Sequence, residues 1–151
     1  MSNVSADLIW EVSRLQNAFL VKRNSYGVQF SKDPLNLTNV HSRKFAGFIN
    51  DKAVGVVASE KGGVEVISKK VSAANKPASG RISTVYGANK GTRKTYKGIA
   101  NSVAKNGYRP DLLPFAVARA SAIRKSQKPV KPSPASKPRS KRQIAAAAKA
   151  E

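Results

Sequence analysis

The sequence predicts an α+β fold: a short N-terminal helix, a small antiparallel β-meander, two C-terminal basic amphipathic helices and an extended basic tail. Apolar residues recur at helical spacing near both ends of the folded region, and short β-branched runs between tight-turn residues fill its middle. From Lys128 onward the chain is rich in proline, lysine, arginine and alanine. We therefore expect a single α+β RNA-binding domain over residues 1–127 and a disordered basic tail over residues 128–151.

The N-terminal helix is predicted over residues 5–16, where Ser5 is a suitable N-cap. Its apolar residues at helical spacing are Leu8, Ile9, Val12 and Leu15. Trp10 is expected to close the edge of the core, because a large aromatic side chain most often serves packing.

The middle of the chain carries the strands of the predicted meander. They are expected at residues 18–23, 28–31, 44–49, 53–58 and 64–71. Residues 33–37 are expected to form a loop, since proline and asparagine disfavour both regular structures. The connections between strands are too short for crossovers, so the pairing should be antiparallel. A mobile basic loop is expected over about residues 71–83.

Two basic helices follow. The first is predicted over residues 92–105, with Gly98 weakening it by about 1 kcal/mol relative to alanine. Its apolar stripe is Tyr96, Ile99, Ala100 and Val103. The second begins after the stop signal Asn106-Gly107, with Asp111 as its predicted N-cap and Pro114 in its first turn. Its predicted buried arc is Leu112, Leu113, Ala116, Val117, Ala120 and Ile123.

The positive charge is large and unevenly distributed. The formal net charge is +20 at pH 7 and the pI is about 10.7. Residues 1–65 contain eight basic and six acidic residues, a net +2, whereas residues 66–151 contain twenty and two, a net +18. A polyanion is therefore the expected partner of the second part; nucleic acid is the first candidate and an anionic membrane surface the second.

The composition argues against an enzyme. The chain has no cysteine, which excludes disulfides and thiol chemistry, and its one histidine, His41, has no evident partner for a triad or a metal site. We expect His41 to contact RNA or to hydrogen-bond within its loop. No cofactor, metal or small-molecule substrate is expected. No apolar run reaches the length that spans a bilayer, and no signal peptide is evident.

The candidate RNA-binding residues are the bases of the second part and one tyrosine. Lysine and arginine neutralise phosphates, and Tyr108 beside Arg109 suits stacking on a base. The set is Lys69, Lys70, Lys76, Arg81, Lys90, Arg93, Lys94, Lys97, Lys105, Tyr108, Arg109, Arg119, Arg124, Lys125, Lys128, Lys131, Lys137, Arg139, Lys141 and Arg142. The tail members of this set suit either an RNA-binding arm or a nuclear import signal.

Several strings in this chain resemble the eukaryotic large-subunit ribosomal protein family numbered twenty-eight, which has no bacterial counterpart. From the C-terminal half they are YRPDL at 108–112, AVARASAI at 116–123 and RKSQKPV at 124–130. From the N-terminal half they are LIWE at 8–11, FLVKR at 19–23, VQFSKDPLNLTNVHS at 28–42 and AGF at 46–48. The resemblance covers roughly residues 5–130 and departs at Leu113-Pro114-Phe115, where the family is expected to be more basic.

This resemblance implies a structural constituent of the cytosolic large ribosomal subunit. Such a protein would bind and neutralise ribosomal RNA, contact neighbouring ribosomal proteins and pass through the nucleus and nucleolus for assembly. One alternative is a nucleolar ribosome-assembly factor, whose family is expected to carry cysteines and a long acidic C-terminal region that this chain lacks. Another is a basic chromatin or membrane-surface protein, since the tail resembles linker-histone tails in composition.

Overall fold

A computed structural model describes residues 4–23, 25, 27–73, 76, 78–134 and 140–141. The first elements are helix α1 (Ala6–Ser13) and strands β1 (Leu20–Lys22) and β2 (Gln29–Ser31). Strands β3 (Val54–Ala58), β4 (Gly63–Lys69) and β5 (Arg81–Gly87) follow, and then helices α2 (Thr92–Ala100) and α3 (Leu113–Ser126). The α+β class is confirmed. No helix in these described ranges is both long and apolar enough to cross a bilayer.

The strands form two antiparallel sheets rather than one meander. β1 pairs with β2 in a ribbon of its own, and β3, β4 and β5 form a three-stranded sheet in chain order. In the larger sheet Val56 lies opposite Val66, and Val64 lies opposite Tyr86. Because side chains alternate between faces, these apolar residues share one face of the sheet.

That face is covered by α2 and α3, and together they make the core. The buried apolar cluster consists of Leu37, Val54, Val56, Val64, Val66, Tyr86, Ile99, Val103, Leu112, Ala116 and Ala120. Tyr96, Leu113, Val117 and Ile123 are half-buried against it. The predicted apolar stripes of both helices are therefore confirmed except at Ala100, which is outside this cluster, and the end of the α3 arc at Ile123 lies at the edge of the core.

The opposite face of β3 is covered by the loop at residues 33–37, which was predicted as a loop but proves to be buried. A Cβ added to Gly55 would lie 2.3 Å from the carbonyl oxygen of Pro34, so only glycine fits beneath the loop. The buried Asp33 carboxylate holds the loop by accepting hydrogen bonds from the amides of Leu35 (2.9 Å) and Phe48 (3.0 Å).

The strand predicted at residues 44–49 is wrong. Residues Arg43–Phe45 form a 3-10 turn, and a second turn follows it. The Asn50 side-chain amide donates hydrogen bonds to the carbonyls of Arg43 (3.1 Å) and Ala46 (2.9 Å). These bonds satisfy carbonyl groups that a strand would present to a neighbour, so the segment folds on itself.

Strand β5 was missed, because residues 81–83 were assigned to the preceding mobile loop. β5 is an edge strand in which every residue except Tyr86 is exposed. Its sequence RISTVYG therefore lacks the apolar alternation of a half-buried strand, although Ile82, Thr84 and Val85 are β-branched. The part of the predicted loop before it contains a 3-10 turn at Val71–Ala73.

The boundaries of α2 and α3 were predicted in part. α2 continues through a π-helical turn at Asn101–Lys105 and ends before Gly107, whose φ of +60° suits the predicted stop. Pro114 lies in the first turn of α3 as expected. Asp111 is not the N-cap, because it lies in a 3-10 turn at Pro110–Leu112 and its carboxylate is bound by Arg109 instead.

We predict that Ile99→Ala lowers the free energy of unfolding by about 2–5 kcal/mol, through lost burial and a residual cavity. Ile99 is fully buried, whereas Ile123 is only half-buried. Ile123→Ala should therefore cost less, below about 2 kcal/mol. Urea denaturation of both variants measures the two losses, with the exposed Ile82→Ala as control. Equal losses at positions 99 and 123 would contradict this placement of the core.

We also predict that Gly98→Ala destabilises the protein, although helix propensity alone would make it stabilising by about 1 kcal/mol. A Cβ at position 98 would lie 2.7 Å from Cε1 and 2.8 Å from the hydroxyl of buried Tyr86. The resulting overpacking should cost about 1–3 kcal/mol. In a Tyr86→Leu background the same change should become stabilising. A higher melting temperature for Gly98→Ala in the wild-type background would contradict the close approach of α2 to Tyr86.

Candidate nucleic-acid interface

The structure separates the predicted RNA-binding residues into side chains bonded within the domain and side chains that face solvent. The bonded group is Lys69, Tyr108, Arg109, Arg119 and Arg124. The exposed group is Lys70, Lys76, Arg81, Lys90, Arg93, Lys94, Lys97, Lys105, Lys125, Lys128, Lys131 and Lys141. The remaining predicted residues, Lys137, Arg139 and Arg142, lie outside the described residues.

Tyr108 fixes the end of the β3–β4 ladder. Its hydroxyl donates to the carbonyl of Lys69 (2.6 Å) and accepts from the amide of Ala53 (3.1 Å). Burial raises the pKa of this phenol, so it remains a neutral donor at physiological pH. The ring is half-buried, and the Lys52 ammonium lies 5.9 Å from its centre. Base stacking by Tyr108 stays a prediction beside this structural role.

Arg109 joins α3 to the segments that precede β3. Its guanidinium donates to the carbonyls of Lys52 (2.9 Å) and Lys44 (3.3 Å). It also grips both carboxylate oxygens of Asp111, each at 2.8 Å. This hydrogen-bonded pairing raises the pKa of Arg109 and lowers that of Asp111. The side chain of Arg109 is 18% exposed, so little of it is available to an outside ligand.

Arg119 binds the free edge of β3. Its Nε donates to the carbonyl of Val56 (2.7 Å), and its Nη1 donates to the carbonyl of Leu37 (3.2 Å) and to Oδ1 of Asn39 (3.0 Å). The ladder is bonded at Ala53–Lys69, and its alternation turns the Val56 carbonyl away from β4. Arg119 therefore satisfies an edge carbonyl and ties the buried loop to the sheet. Burial lowers the pKa of its guanidinium, which stays charged all the same.

Lys69 and Arg124 are bonded less completely. The Lys69 ammonium donates to the carbonyls of Asn50 (2.9 Å) and Gly47 (3.3 Å), and burial lowers its pKa. Nη2 of Arg124 donates to the carbonyl of Ala88 (3.3 Å). Nη1 of Arg124 is buried and has no hydrogen-bond partner in the described structure. A cavity of about 140 Å³ lies beside it, lined by Ala88, Arg124, Gln127 and Lys128.

The exposed group is concentrated on α2 and its continuation. The inner side of α2 is fixed by the buried Thr95, Ile99 and Val103. The bases Arg93, Lys94, Lys97 and Lys105 lie on the other side and are exposed. Arg93 and Lys105 are twelve residues apart, so this row extends for about 18 Å at 1.5 Å per residue. We call these four residues the α2 basic row.

The start of α2 and the end of α3 add charge at the same end of the domain. Gln127 exchanges two hydrogen bonds with the backbone of Gly63 (2.8 and 2.9 Å), and Gly63 pairs with Gly87 at the end of β5. The last turn of α3 therefore lies next to the segment that leads into α2. The first turn of α2 has no acidic residue and no side-chain cap, so its free amides add a partial positive charge.

Carboxylates do not neutralise this surface. The ion pairs among the described residues join Glu11 to Arg14, Asp7 to Arg43 and Asp111 to Arg109. None involves a base of the exposed group.

The N-terminal part of the chain adds two cations that sequence reasoning did not select, Lys44 and Lys52. Each lies over an aromatic ring of the C-terminal half, and no local sequence signal indicates such a long-range contact.

His41 has a structural role, but its hydrogen bond leaves its own loop, contrary to the expected bond within the loop, and its expected RNA contact stays a prediction. Its Nε2 donates to the carbonyl of Arg14 (2.8 Å), and its ring centre is 5.0 Å from that of Trp10. Trp10 thus packs on His41 instead of on the main core cluster, contrary to its expected position. Among the residues that the structure describes, no group of three or more His, Cys, Asp or Glu is placed to hold a metal ion.

We predict that Arg119→Ala lowers the free energy of unfolding by about 1.5–3 kcal/mol, since it leaves the Val56 and Leu37 carbonyls without their charged donor. Lys125→Ala is the matched control: Lys125 is an exposed cation on the same helix, and its loss should change stability by less than about 0.5 kcal/mol. Urea denaturation measures both. Unchanged stability for Arg119→Ala would contradict this structural role and leave the Arg119 side chain available to bind RNA.

Comparison with known proteins assigns these features to a family. The model of the ribosomal L28e protein family matches residues 8–126. A Schizosaccharomyces pombe protein named large ribosomal subunit protein eL28 is 48% identical over 131 residues, covering 85% of this chain and 97% of the relative. Proteins of the same name from Dictyostelium discoideum and Caenorhabditis elegans are 33% and 32% identical, covering 83% and 82% of this chain and 93% and 91% of the relatives.

Proposed function

The chain belongs to the ribosomal L28e protein family, and we propose that it is a structural protein of the cytosolic large ribosomal subunit that binds ribosomal RNA through its basic C-terminal half. The observation that carries the RNA-binding part is the α2 basic row, four exposed cations on a helix fixed to the core, none of them paired with a carboxylate of the described residues. The role requires no chemistry from this chain. It requires a rigid surface that neutralises phosphates.

The energetic basis is electrostatic. Each phosphate that a lysine or arginine neutralises releases condensed counterions, and this release drives association. Because α2 is anchored through Ile99 and Val103, its cations are held at fixed spacing before RNA binds. Less conformational freedom is then lost on binding than with a flexible chain. The α2 basic row therefore acts as a preformed track for the RNA backbone.

The end of the domain near Lys90 and Lys128 supplies a second contact. The positive end of the α2 dipole, the exposed Lys125 and Lys128, and the unpartnered Nη1 of Arg124 lie close together there. A phosphate oxygen near the adjacent cavity would be attracted by all of them. The bonded residues Arg109 and Arg119 serve this function indirectly, since they hold α3 on the sheet.

The tail extends the same function. Residues 128–134 leave the end of α3 in an exposed, irregular conformation that includes Lys131. The proline residues and like charges of the tail disfavour a compact fold, so we propose that the tail is a disordered arm that follows RNA. The bases near Lys141 also suit nuclear import, which would precede assembly in the nucleolus.

We predict that the double variant Lys94→Ala/Lys97→Ala binds large-subunit RNA more weakly, with a log–log salt slope shallower by about 1.4–1.8. The loss of two phosphate contacts gives this value. The matched control is Lys22→Ala/Lys61→Ala, which removes two exposed lysines from the near-neutral part of the chain. Salt titration of RNA binding compares the two variants. Equal slopes would show that the α2 basic row is not the RNA contact.

Assembly is tested by sedimentation of the tagged full chain on a sucrose gradient. A structural protein of the subunit should migrate with large subunits and with polysomes. Restriction to nuclear precursors would instead indicate an assembly factor, and absence from every ribosomal particle would contradict a ribosomal role.

Deletion of residues 131–151 should leave the fold intact and make the salt slope of RNA binding shallower. An unchanged slope would favour import as the function of the tail.

A further inference from the structure

The outer face of α1 is apolar and uncovered by any other described part of the chain. Leu8, Val12 and Leu15 are 57%, 77% and 60% exposed. Leu8 and Val12 are one turn apart on the same side of α1, and Leu15 follows in the bend after the helix. We call these three residues the α1 stripe. Such a stripe normally faces a core, and here it faces solvent.

The inner face of α1 is already occupied, so the stripe cannot turn inward. Trp10 packs on His41, and His41 donates a hydrogen bond to the carbonyl of Arg14. Asp7 accepts a hydrogen bond from the Arg43 guanidinium at 2.9 Å. These contacts hold the helix by its edges, and no residue of α1 is buried. An eight-residue helix is marginal in water without packing, which a partner on the outer face would supply.

The charges beside the stripe identify the class of partner. Asp7 and Glu11 lie on the side of α1 that borders it, and their side chains are 88% and 62% exposed. Each is paired with an arginine, but Arg43 and Arg14 are less exposed, at 32% and 50%, so the carboxylates are the charges that an outside partner meets first. Carboxylates repel phosphates, and apolar side chains gain nothing from a phosphate backbone. The α2 basic row has the opposite character. The α1 stripe is therefore unsuited to RNA and suited to an apolar groove with a basic rim.

We infer that the α1 stripe docks on a neighbouring basic protein of the same particle, with Glu11 facing lysine or arginine on the rim of its groove. This inference rests on the proposed function, since the partner belongs to the large subunit. A second copy of this chain is a poorer occupant. Two copies would bring the same carboxylates and two charges of +20 together.

The first test is photocrosslinking within assembled subunits. A benzophenone side chain replaces that of Val12 in the full-length chain, and large subunits that contain it are purified, illuminated and digested with ribonuclease. The control places the same group at Lys61, which is exposed in the turn between β3 and β4. We expect a ribonuclease-resistant adduct with one basic protein at position 12 and no adduct with that protein at position 61.

Each other outcome overturns the inference. An adduct that ribonuclease removes would assign the stripe to RNA. A link to residues of the chain's own tail, or to a second copy, would assign it to self-association, and no adduct would leave it without a partner. If the wild-type chain is absent from large subunits, the proposed function fails together with this inference. If the chain is present but gives no protein adduct at position 12, only this inference fails.

The second test uses a charge-matched pair of variants. Glu11→Lys and Glu60→Lys make the same change at two exposed positions, and only the first borders the stripe. In cells that express a variant beside the wild type, Glu11→Lys should occupy large subunits at least about fivefold less than Glu60→Lys. Because Glu11 pairs with Arg14, circular dichroism of the free proteins checks that α1 persists. Equal occupancy with intact helices would overturn the predicted basic rim.

Discussion

Two alanines of α3 determine how closely that helix lies on the sheet. Ala116 and Ala120 are completely buried against the β3–β4 face, and a larger side chain at either position would force the helix outward. The close approach brings the long polar side chains of α3 within reach of the strand edges. Arg119 can then reach the Val56 carbonyl, and Gln127 can reach Gly63 at the turn of the sheet. The positions of the basic surfaces follow from this packing.

A chain with a net charge of +20 must hold cations close together, and this one does so in two ways. Arg109 and Arg119 direct their charge inward onto backbone carbonyls, where the acceptors offset the cost of desolvation. Lys94 and Lys97 remain in water and lack carboxylate partners. Self-repulsion among the exposed cations is the energetic cost of a surface that is ready for a polyanion. The bonded arginines let the fold tolerate that cost.

The elements with strong periodicity could be predicted from the sequence, and those without it could not. The α2 stripe at Ile99 and Val103 repeats at helical spacing, and β3 and β4 are rich in valine and isoleucine and lie between turn residues. The segment at residues 44–49 looked like a strand, because nothing local shows that Asn50 folds back on its carbonyls. β5 was missed because an exposed edge strand does not need the apolar alternation that marks buried strands.

The candidate site was predictable as a charged region, whereas the role of each residue was not. Composition distinguishes the basic part from the near-neutral part, and helical spacing places Lys94 and Lys97 outside the core. The roles of Tyr108 and Arg119 depend on partners 39 to 82 residues away along the chain, and only the folded structure brings these partners together. Gly98 is recognisable in the sequence as a residue of low helix propensity, whereas the approach of Tyr86 to within 2.7 Å of a Cβ at that position is visible only in the folded structure.

Helices α1 and α2 face their surroundings with opposite chemistry. α2 presents cations on its outer face, and its inner face is fixed by the core, so the outer surface is rigid before any partner binds. α1 presents aliphatic side chains beside carboxylates and has no buried residue of its own, so it lacks that support. The proposed contacts with RNA and with a neighbouring protein would use one kind of surface each. In the sequence, this arrangement corresponds to a net charge of +2 over residues 1–65 and of +18 over residues 66–151.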